Sequence, residues 1–193
     1  MGVGAGVMPQ ARAVFLDRDG VINRAIVRDG KPYPPCSLEE LEVAEDAGCL
    51  GRLKSLGFLL LVVTNQPDIA RGSQTIEALE AIHEFLRRAL PLDDFLVCPH
   101  DDRDGCACRK PRPGLLFEAQ RRFGIDLDRS FLVGDRWRDI DAGRAAGCRT
   151  VHLDRNYREP GPSHPPDARV GSLADAVDWI VRNSELNSDA SHT

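Results

Sequence analysis

The segment Asp17-Arg18-Asp19-Gly20 places two carboxylates two residues apart, directly after the apolar stretch Ala13-Val-Phe-Leu16. At the end of a strand Asp17 is held rigidly, while Asp19, one step into the loop, can turn back over the same spot. Such a pair suits a nucleophile beside a general acid or base, and like charges so close favour a bound cation or a raised pKa in one member. A solvated turn with helix-capping aspartates is the plainer alternative for this pair alone. Gly134-Asp135-Arg136-Trp137-Arg138-Asp139 follows a second apolar stretch, Phe131-Leu-Val133, and adds two carboxylates four residues apart. Four acids at two strand ends make a hard-cation site suited to Mg²⁺, which takes oxygen ligands and keeps several waters. Asp17, Asp135, Asp139 through water and the backbone carbonyl of Asp19 would supply it; Asp139 could instead cap the helix that follows.

Val63-Thr64-Asn65-Gln66 brings a hydroxyl and amides to a third strand end, and Cys108-Arg109-Lys110-Pro111 brings an ammonium. Hydroxyl, amide and ammonium donors are what the oxygens of a transferring phosphoryl group need. Lys110 is one of only three lysines, with Lys31 and Lys54. A compact point charge there meets a demand that a planar guanidinium does not. Arg18, Asn65 and Arg109 are read as further contacts to substrate or phosphate.

Cys98-Pro-His100 and Cys106-Ala-Cys108 gather three thiols and an imidazole on one loop. Three sulfurs and one nitrogen satisfy a closed, tetrahedral, structural zinc site. A disulfide or incidental thiols remain the alternatives on spacing alone. Cys36, Cys49 and Cys148 are scattered and read as small buried apolar residues.

To carry these groups the chain needs strands that end together. Strand-length apolar runs occur at Ala13 to Leu16, Phe58 to Val63, Phe95 to Val97, Phe131 to Val133 and Thr150 to Leu153. Between and after them, apolar residues spaced three or four apart predict helices over Glu45 to Leu56, Thr75 to Leu90, Gly114 to Phe123, Asp139 to Ala146 and Leu173 to Arg182. Strands apolar throughout require burial on both faces, so the expected fold class is α/β: a three-layer, doubly wound parallel sheet with ligands at the strand C-terminal ends. A single domain is expected over 1–183, with the zinc loop at 98–108 and a flexible tail at 184–193. The two long connections, Asn23 to Ala44 and Pro99 to Pro113, are too short to hold a cap domain.

With 25 Lys+Arg against 30 Asp+Glu, the formal charge is −5 and no basic stripe offsets it, so nucleic acid is not an expected partner. No apolar run approaches the roughly 18 to 20 residues of a membrane span, and Met1 to Ala13 lacks the features of a signal peptide. A cytoplasmic monomer acting on a small phosphorylated metabolite is expected.

Taken in order, Phe15-Leu-Asp-Arg-Asp-Gly20, Val63-Thr-Asn-Gln66, Arg109-Lys-Pro111 and Gly134-Asp135 with Asp139 resemble the haloacid dehalogenase superfamily of phosphatases over nearly the whole chain. The resemblance implies that Asp17 forms an aspartyl-phosphate, that Asp19 protonates the leaving alkoxide and then activates water, and that Thr64 and Lys110 bind the transferring phosphoryl. It implies Mg²⁺ on Asp17, Asp19 and Asp135, and first and fourth strands lying side by side. The cysteine loop with Ile69-Ala-Arg-Gly72 is similar to the branch containing D-glycero-D-manno-heptose 1,7-bisphosphate phosphatases and histidinol-phosphate phosphatases. That similarity implies a structural zinc and an Arg109 aimed at substrate. Within the branch, Pro67 to Gly72 is closer to the heptose enzymes, implying removal of their substrate's 7-phosphate. The five residues between His100 and Cys106 are closer to the histidinol-phosphate type. Two other classes differ in their demands: a non-catalytic zinc module has no use for the aspartates, and a phosphomutase must shield its intermediate from water.

Overall fold

The computed structural model describes residues 10–185. In chain order its elements are β1 (Ala13–Leu16), β2 (Ile26–Arg28), β3 (Lys31–Tyr33), a 3₁₀ turn over Ala47–Leu50 leading into α1 (Gly51–Ser55), β4 (Leu59–Asn65), α2 (Pro67–Arg71) and α3 (Ile76–Ala89). There follow β5 (Asp94–Cys98), α4 (Gly114–Phe123), β6 (Phe131–Gly134), α5 (Trp137–Ala146), β7 (Arg149–Leu153), β8 (Ala168–Val170) and α6 (Leu173–Glu185).

Six strands form one sheet in the order β5-β4-β1-β6-β7-β8, and every pair in it is parallel. Alternate residues of β1 enter different cores. Val14 and Leu16 join Leu53, Ile82 and Ile180 of α1, α3 and α6 on one face, whereas Ala13 and Phe15 join Leu116, Ala119 and Ala142 of α4 and α5 on the other. Each such buried aliphatic or aromatic side chain contributes about 1.5–3 kcal/mol. This explains why the strands are apolar throughout, and it is the expected three-layer doubly wound fold. No cap domain interrupts it among the described residues.

After β5 the chain crosses back over β1 to build the other half of the sheet, so the order reverses beside β1. Strands β1 and β6 are neighbours, with Leu16 opposite Val133, and β4 flanks β1 on the other side with Leu16 opposite Val62. Residues just past Leu16, Val63 and Gly134 therefore emerge around one crevice, where open α/β sheets bind ligands.

Several local expectations change. The helix expected over Glu45 to Leu56 begins at Ala47 as a 3₁₀ turn and becomes α-helical only at Gly51. Gly48 and Gly51 each weaken an α-helix by about 1 kcal/mol relative to alanine, which leaves its start short and tight. The connection after Asn23 is not irregular: β2 and β3 pair antiparallel around Asp29-Gly30, both at positive φ. Of the tail expected over 184–193, Ser184 is buried and α6 runs through Glu185; positions 186–193 lie outside the described residues, as do 1–9.

Candidate active site

Asp17 is the first residue past β1. Its amide donates to the Val133 carbonyl at 2.9 Å, which locks it to the neighbouring strand. One carboxylate oxygen, Oδ1, accepts from the Arg18 amide at 2.7 Å and lies 3.0 Å from Lys110 Nζ. Across the crevice Asp135 is 3% exposed; the Tyr157 hydroxyl lies against its carboxylate, yet neither oxygen has an aligned hydrogen-bond partner among the described residues. Asp139 lies in the first turn of α5 and takes the helix-capping role. Its Oδ2 accepts from the Arg136 amide at 3.0 Å, capping the helix, while Oδ1 lies 2.6 Å from Lys110 Nζ.

Carboxylate oxygens of Asp17, Asp135 and Asp139 all lie within 4.8 Å of one another. Burial, reinforced by Asp139 and opposed by Lys110, pushes the Asp17 carboxyl up to about 7. Burial, then Asp17 and Asp139, pushes Asp135 well above the carboxylate range. Three buried carboxylates against one ammonium leave an excess of two negative charges, and unpartnered buried charge is costly. The donor set is all oxygen and the two Asp135 oxygens have no aligned partner, so these residues fit a hard divalent cation. Close approach of the strand ends depends on small residues: Gly20 has φ +85°, and a Cβ there would stand 1.7 Å from Asp135 Oδ2. A Cβ on Gly134 would stand 2.1 Å from Asp139 Cβ.

Lys110 is 1% exposed and also donates to the Val63 carbonyl at 2.7 Å, so its three protons serve Asp17, Asp139 and β4. Asn65 holds it there: its amide donates to the Lys110 carbonyl at 3.1 Å and accepts from the Lys110 amide at 3.1 Å. Asn65 lines the cavity, but its side chain is spent on Lys110 rather than left for phosphate. Thr64, 1% exposed, accepts from Gln66 Nε2 at 2.8 Å, which leaves its own hydroxyl proton free. Asp19 lines the cavity; its Oδ1 accepts from Arg18 and Asn23, its Oδ2 accepts only from Gln66 at 2.8 Å, and its backbone carbonyl is the group left to meet a cation.

The expectation that Arg18 contacts phosphate is corrected. Its side chain is 0% exposed and lies beneath the cavity, bound to Asp19 and His83. Next to Asp17 in sequence, it points into the protein because successive residues leave a strand on opposite sides.

Cys98, at the end of β5, meets the other three members of its cluster. Cys98 Sγ lies 3.6 Å from His100 Nδ1, 3.6 Å from Cys106 Sγ and 3.2 Å from Cys108 Sγ; Cys108 Sγ lies 3.3 Å from His100 Nδ1. Sulfurs at these distances are far beyond the roughly 2.05 Å of a disulfide. They are close to the edges, about 3.5–3.8 Å, of a tetrahedron with Zn–S near 2.3 Å and Zn–N near 2.1 Å. All six cysteines are free thiols, and Cys36, Cys49 and Cys148 stand apart from this cluster.

A cavity of about 220 Å³ opens over Asp17 and Lys110. Arg109 lines it as expected, held by Asp102 at 2.8 Å, which also takes Arg138 at 2.6 Å. Lys31, Tyr33, Arg71, Arg136 and Arg138 also line it, the arginines paired with Asp68, Glu159 and Asp102, and the motifs did not pick them out. The β2–β3 hairpin supplies Lys31 and Tyr33, and its Asp-Gly turn was the available signal.

The Hydrolase_like family model, HAD-hydrolase-like, matches residues 107–176. The chain is 36% identical over 183 residues to D-glycero-beta-D-manno-heptose-1,7-bisphosphate 7-phosphatase of Escherichia coli (strain K12), covering 89% of this chain and 88% of that one. It is 37% identical over 143 residues to the enzyme of the same name from Pseudomonas aeruginosa, covering 72% and 78%. Among solved structures, D,D-heptose 1,7-bisphosphate phosphatase from B. bronchiseptica, complexed with magnesium and phosphate, matches with a TM-score of 0.77 at 30% identity over 89% of this chain and 99% of that one.

Proposed function

Because this chain belongs to the haloacid dehalogenase-like phosphatases, and so is a phosphomonoester hydrolase, we propose that Asp17 is its nucleophile and that a sugar bisphosphate is its substrate. The observation that supports this reading is the meeting of Asp17, Asp135, Asp139 and Lys110 at the β1/β6 strand ends.

Oδ1 of Asp17 is fixed by the Arg18 amide and Lys110, which leaves Oδ2 to attack phosphorus. The bond from phosphorus to the sugar oxygen breaks as the bond to Asp17 forms, and Asp19 gives its proton to the departing alkoxide. Asp19 then takes a proton from water as that water attacks phosphorus, and the Asp17–phosphorus bond breaks to release inorganic phosphate. Thr64 offers a hydroxyl proton to a phosphoryl oxygen, and Lys110, whose protons are held by Asp17, Asp139 and the Val63 carbonyl, sets its positive charge beside the transferring group. Asp17 and Asp135, with Asp139 and the Asp19 carbonyl, would hold Mg²⁺, whose charge offsets those of the carboxylates and of the transferring group. Cys98, His100, Cys106 and Cys108 would hold a structural zinc that orders a loop poor in apolar residues and keeps Arg109 and Lys110 in place. Reduced thiols in this role suit the cytoplasm, and no helix among the described residues is long and apolar enough to cross a membrane.

For the substrate we favour D-glycero-D-manno-heptose 1,7-bisphosphate, dephosphorylated at the 7-position. Its support is the activity named for the relatives, together with Lys31, Arg71, Arg109 and Arg138 at the cavity, where a second phosphate would take the arginines over from Asp68, Asp101 and Asp102. Histidinol phosphate is the second compound to assay, because of the short loop between His100 and Cys106. The test is a Mg²⁺-dependent phosphate-release screen of both anomers of the heptose bisphosphate, histidinol phosphate and other sugar phosphates. A higher kcat/KM for a heptose bisphosphate is expected; preference for histidinol phosphate overturns the substrate assignment.

A further inference from the structure

His83 sits on α3, wholly buried, away from the cavity and outside the steps above. Its ring stacks on Phe95 of β5, with centroids 4.5 Å apart and planes at 26°. Its Nε2 lies 3.3 Å from Arg18 Nη1. A guanidinium only donates, so Nε2 carries the lone pair and the ring proton is on Nδ1. Nδ1 has no hydrogen-bond partner among the described residues, and the Glu80 carboxylate at 3.9 Å is beyond reach. Burial, with Arg18 and Arg87 adding to it, pushes the imidazole pKa down to about 3, so the ring stays a neutral acceptor at working pH.

The other edge of the Arg18 guanidinium faces the active site. Nε and Nη2 both donate to Asp19 Oδ1, at 3.0 and 2.9 Å. Arg18 thus has two anchors, one the carboxylate read above as the general acid and the other the ring of His83. A buried guanidinium that loses an acceptor leaves an N–H unpaired, which is costlier for a charged group than for a neutral one. It relieves that cost by turning, and Asp19 turns with it.

We infer that His83 is a positioning residue, which through the Arg18 guanidinium fixes the direction in which the Asp19 carboxylate meets the leaving group. The inference rests on the reading of Asp19 as the acid, and the leaving group supplies a readout that a merely structural role would not move. A sugar alkoxide must be protonated as it departs, whereas p-nitrophenolate departs without help. The value of kcat/KM reports the steps up to that departure.

The experiment compares wild type, His83→Phe, His83→Gln and Asp19→Asn on a sugar phosphate and on p-nitrophenyl phosphate, with Mg²⁺ and zinc bound and the fold checked by thermal melting. His83→Phe keeps the stack and loses the acceptor; it should lose about 100-fold in kcat/KM on the sugar phosphate, the scale of a catalytic group misplaced by about 1 Å. It should lose little on the aryl phosphate, and His83→Gln, which restores an acceptor, should recover most of the loss. If phenylalanine does not fold, His83→Leu takes its place with the same expectation. Equal losses on both substrates, or no loss in a folded variant, overturn the inference. Asp19→Asn separates the two levels: if it lacks the leaving-group dependence, the reading of Asp19 fails. If it shows the dependence and His83→Phe does not, only the role of His83 fails.

Discussion

Lys110 Nζ stands 2.6 Å from Asp139 Oδ1 in a contact where the two side chains are 2% and 1% exposed. The same nitrogen stands 3.0 Å from Asp17 Oδ1, so one ammonium holds together two carboxylates that would otherwise repel in a dry site. The pairing of a rare lysine with two strand-end acids gives the site its geometry.

Removing that charge strands the acids. Lys110→Met should destabilise the protein by about 3–5 kcal/mol, the usual cost of leaving a buried charge without its partner. It should also abolish turnover in whatever folds. Lys110→Arg should not rescue, because a planar fork cannot serve Asp17, Asp139 and the Val63 carbonyl from one point. Urea unfolding and phosphate release measure the two effects; an active arginine variant would contradict the assignment.

Gly20→Ala puts a methyl carbon where Asp135 Oδ2 now sits, in a backbone conformation of φ +85°. The carboxylate must move, so Mg²⁺ affinity should fall sharply while the separate cysteine–histidine site keeps its zinc. Isothermal titration with Mg²⁺ and zinc analysis of the same preparation report the two sites separately. Unchanged Mg²⁺ affinity would place the cation elsewhere.

The cysteine loop over 98–108 runs directly into Arg109 and Lys110, so stripping its zinc should act on the phosphatase site from outside it. Protein purified without chelator should contain about one zinc per chain. Cys106→Ser should lower zinc content, expose residues 98–113 to protease and cut activity even in saturating Mg²⁺. A zinc-free chain with an intact, protected loop would refute the structural role.

The chelated and Mg²⁺-loaded proteins should differ in their response to pH. The folded, metal-free Asp17 carboxyl is raised to about 7 from an ordinary 3.8 by burial and then Asp139. A carboxyl raised on folding contributes stability that is present below its unfolded pKa and is lost as pH rises through the folded value. Between about pH 4 and 7 the chelated protein should therefore weaken by up to about 1.4 kcal/mol per pH unit for one such proton. Asp135, shifted in the same direction, adds to it. Mg²⁺ favours the ionised carboxylates, so the stability gap between loaded and chelated protein should widen across that window. A gap independent of pH would mean that the cation does not bind these acids.

Much of this was legible in the chain because strand ends carry both pattern and chemistry. Phe131 to Val133 reads as a buried strand, and the Gly-Asp that follows it can only emerge at the sheet edge. Zinc spacing was legible for a similar reason, since Cys98, His100, Cys106 and Cys108 lie on one short segment. Arg18 misled because its neighbours at 17 and 19 both reach the cavity, while β1 sends it to the other side. The β2–β3 hairpin was missed although Asp29-Gly30 is a strong turn signal, because Pro32 and the exposed Val27 and Tyr33 do not read as a strand. The link from His83 to Asp19 joins residues 64 positions apart through Arg18, and no local pattern encodes it.

The central claim is a covalent phosphoryl group on Asp17, and it can be trapped. Enzyme quenched in mid-turnover with a sugar phosphate and then reduced with borohydride converts an aspartyl-phosphate to homoserine, which peptide mass spectrometry locates by residue. Homoserine is expected at position 17 in wild type, and in Asp19→Asn given p-nitrophenyl phosphate, whose departure needs no acid, and none in Asp17→Asn, which should fold normally and release no phosphate. Reduction at another residue, or an Asp17→Asn variant that still turns over, would contradict it.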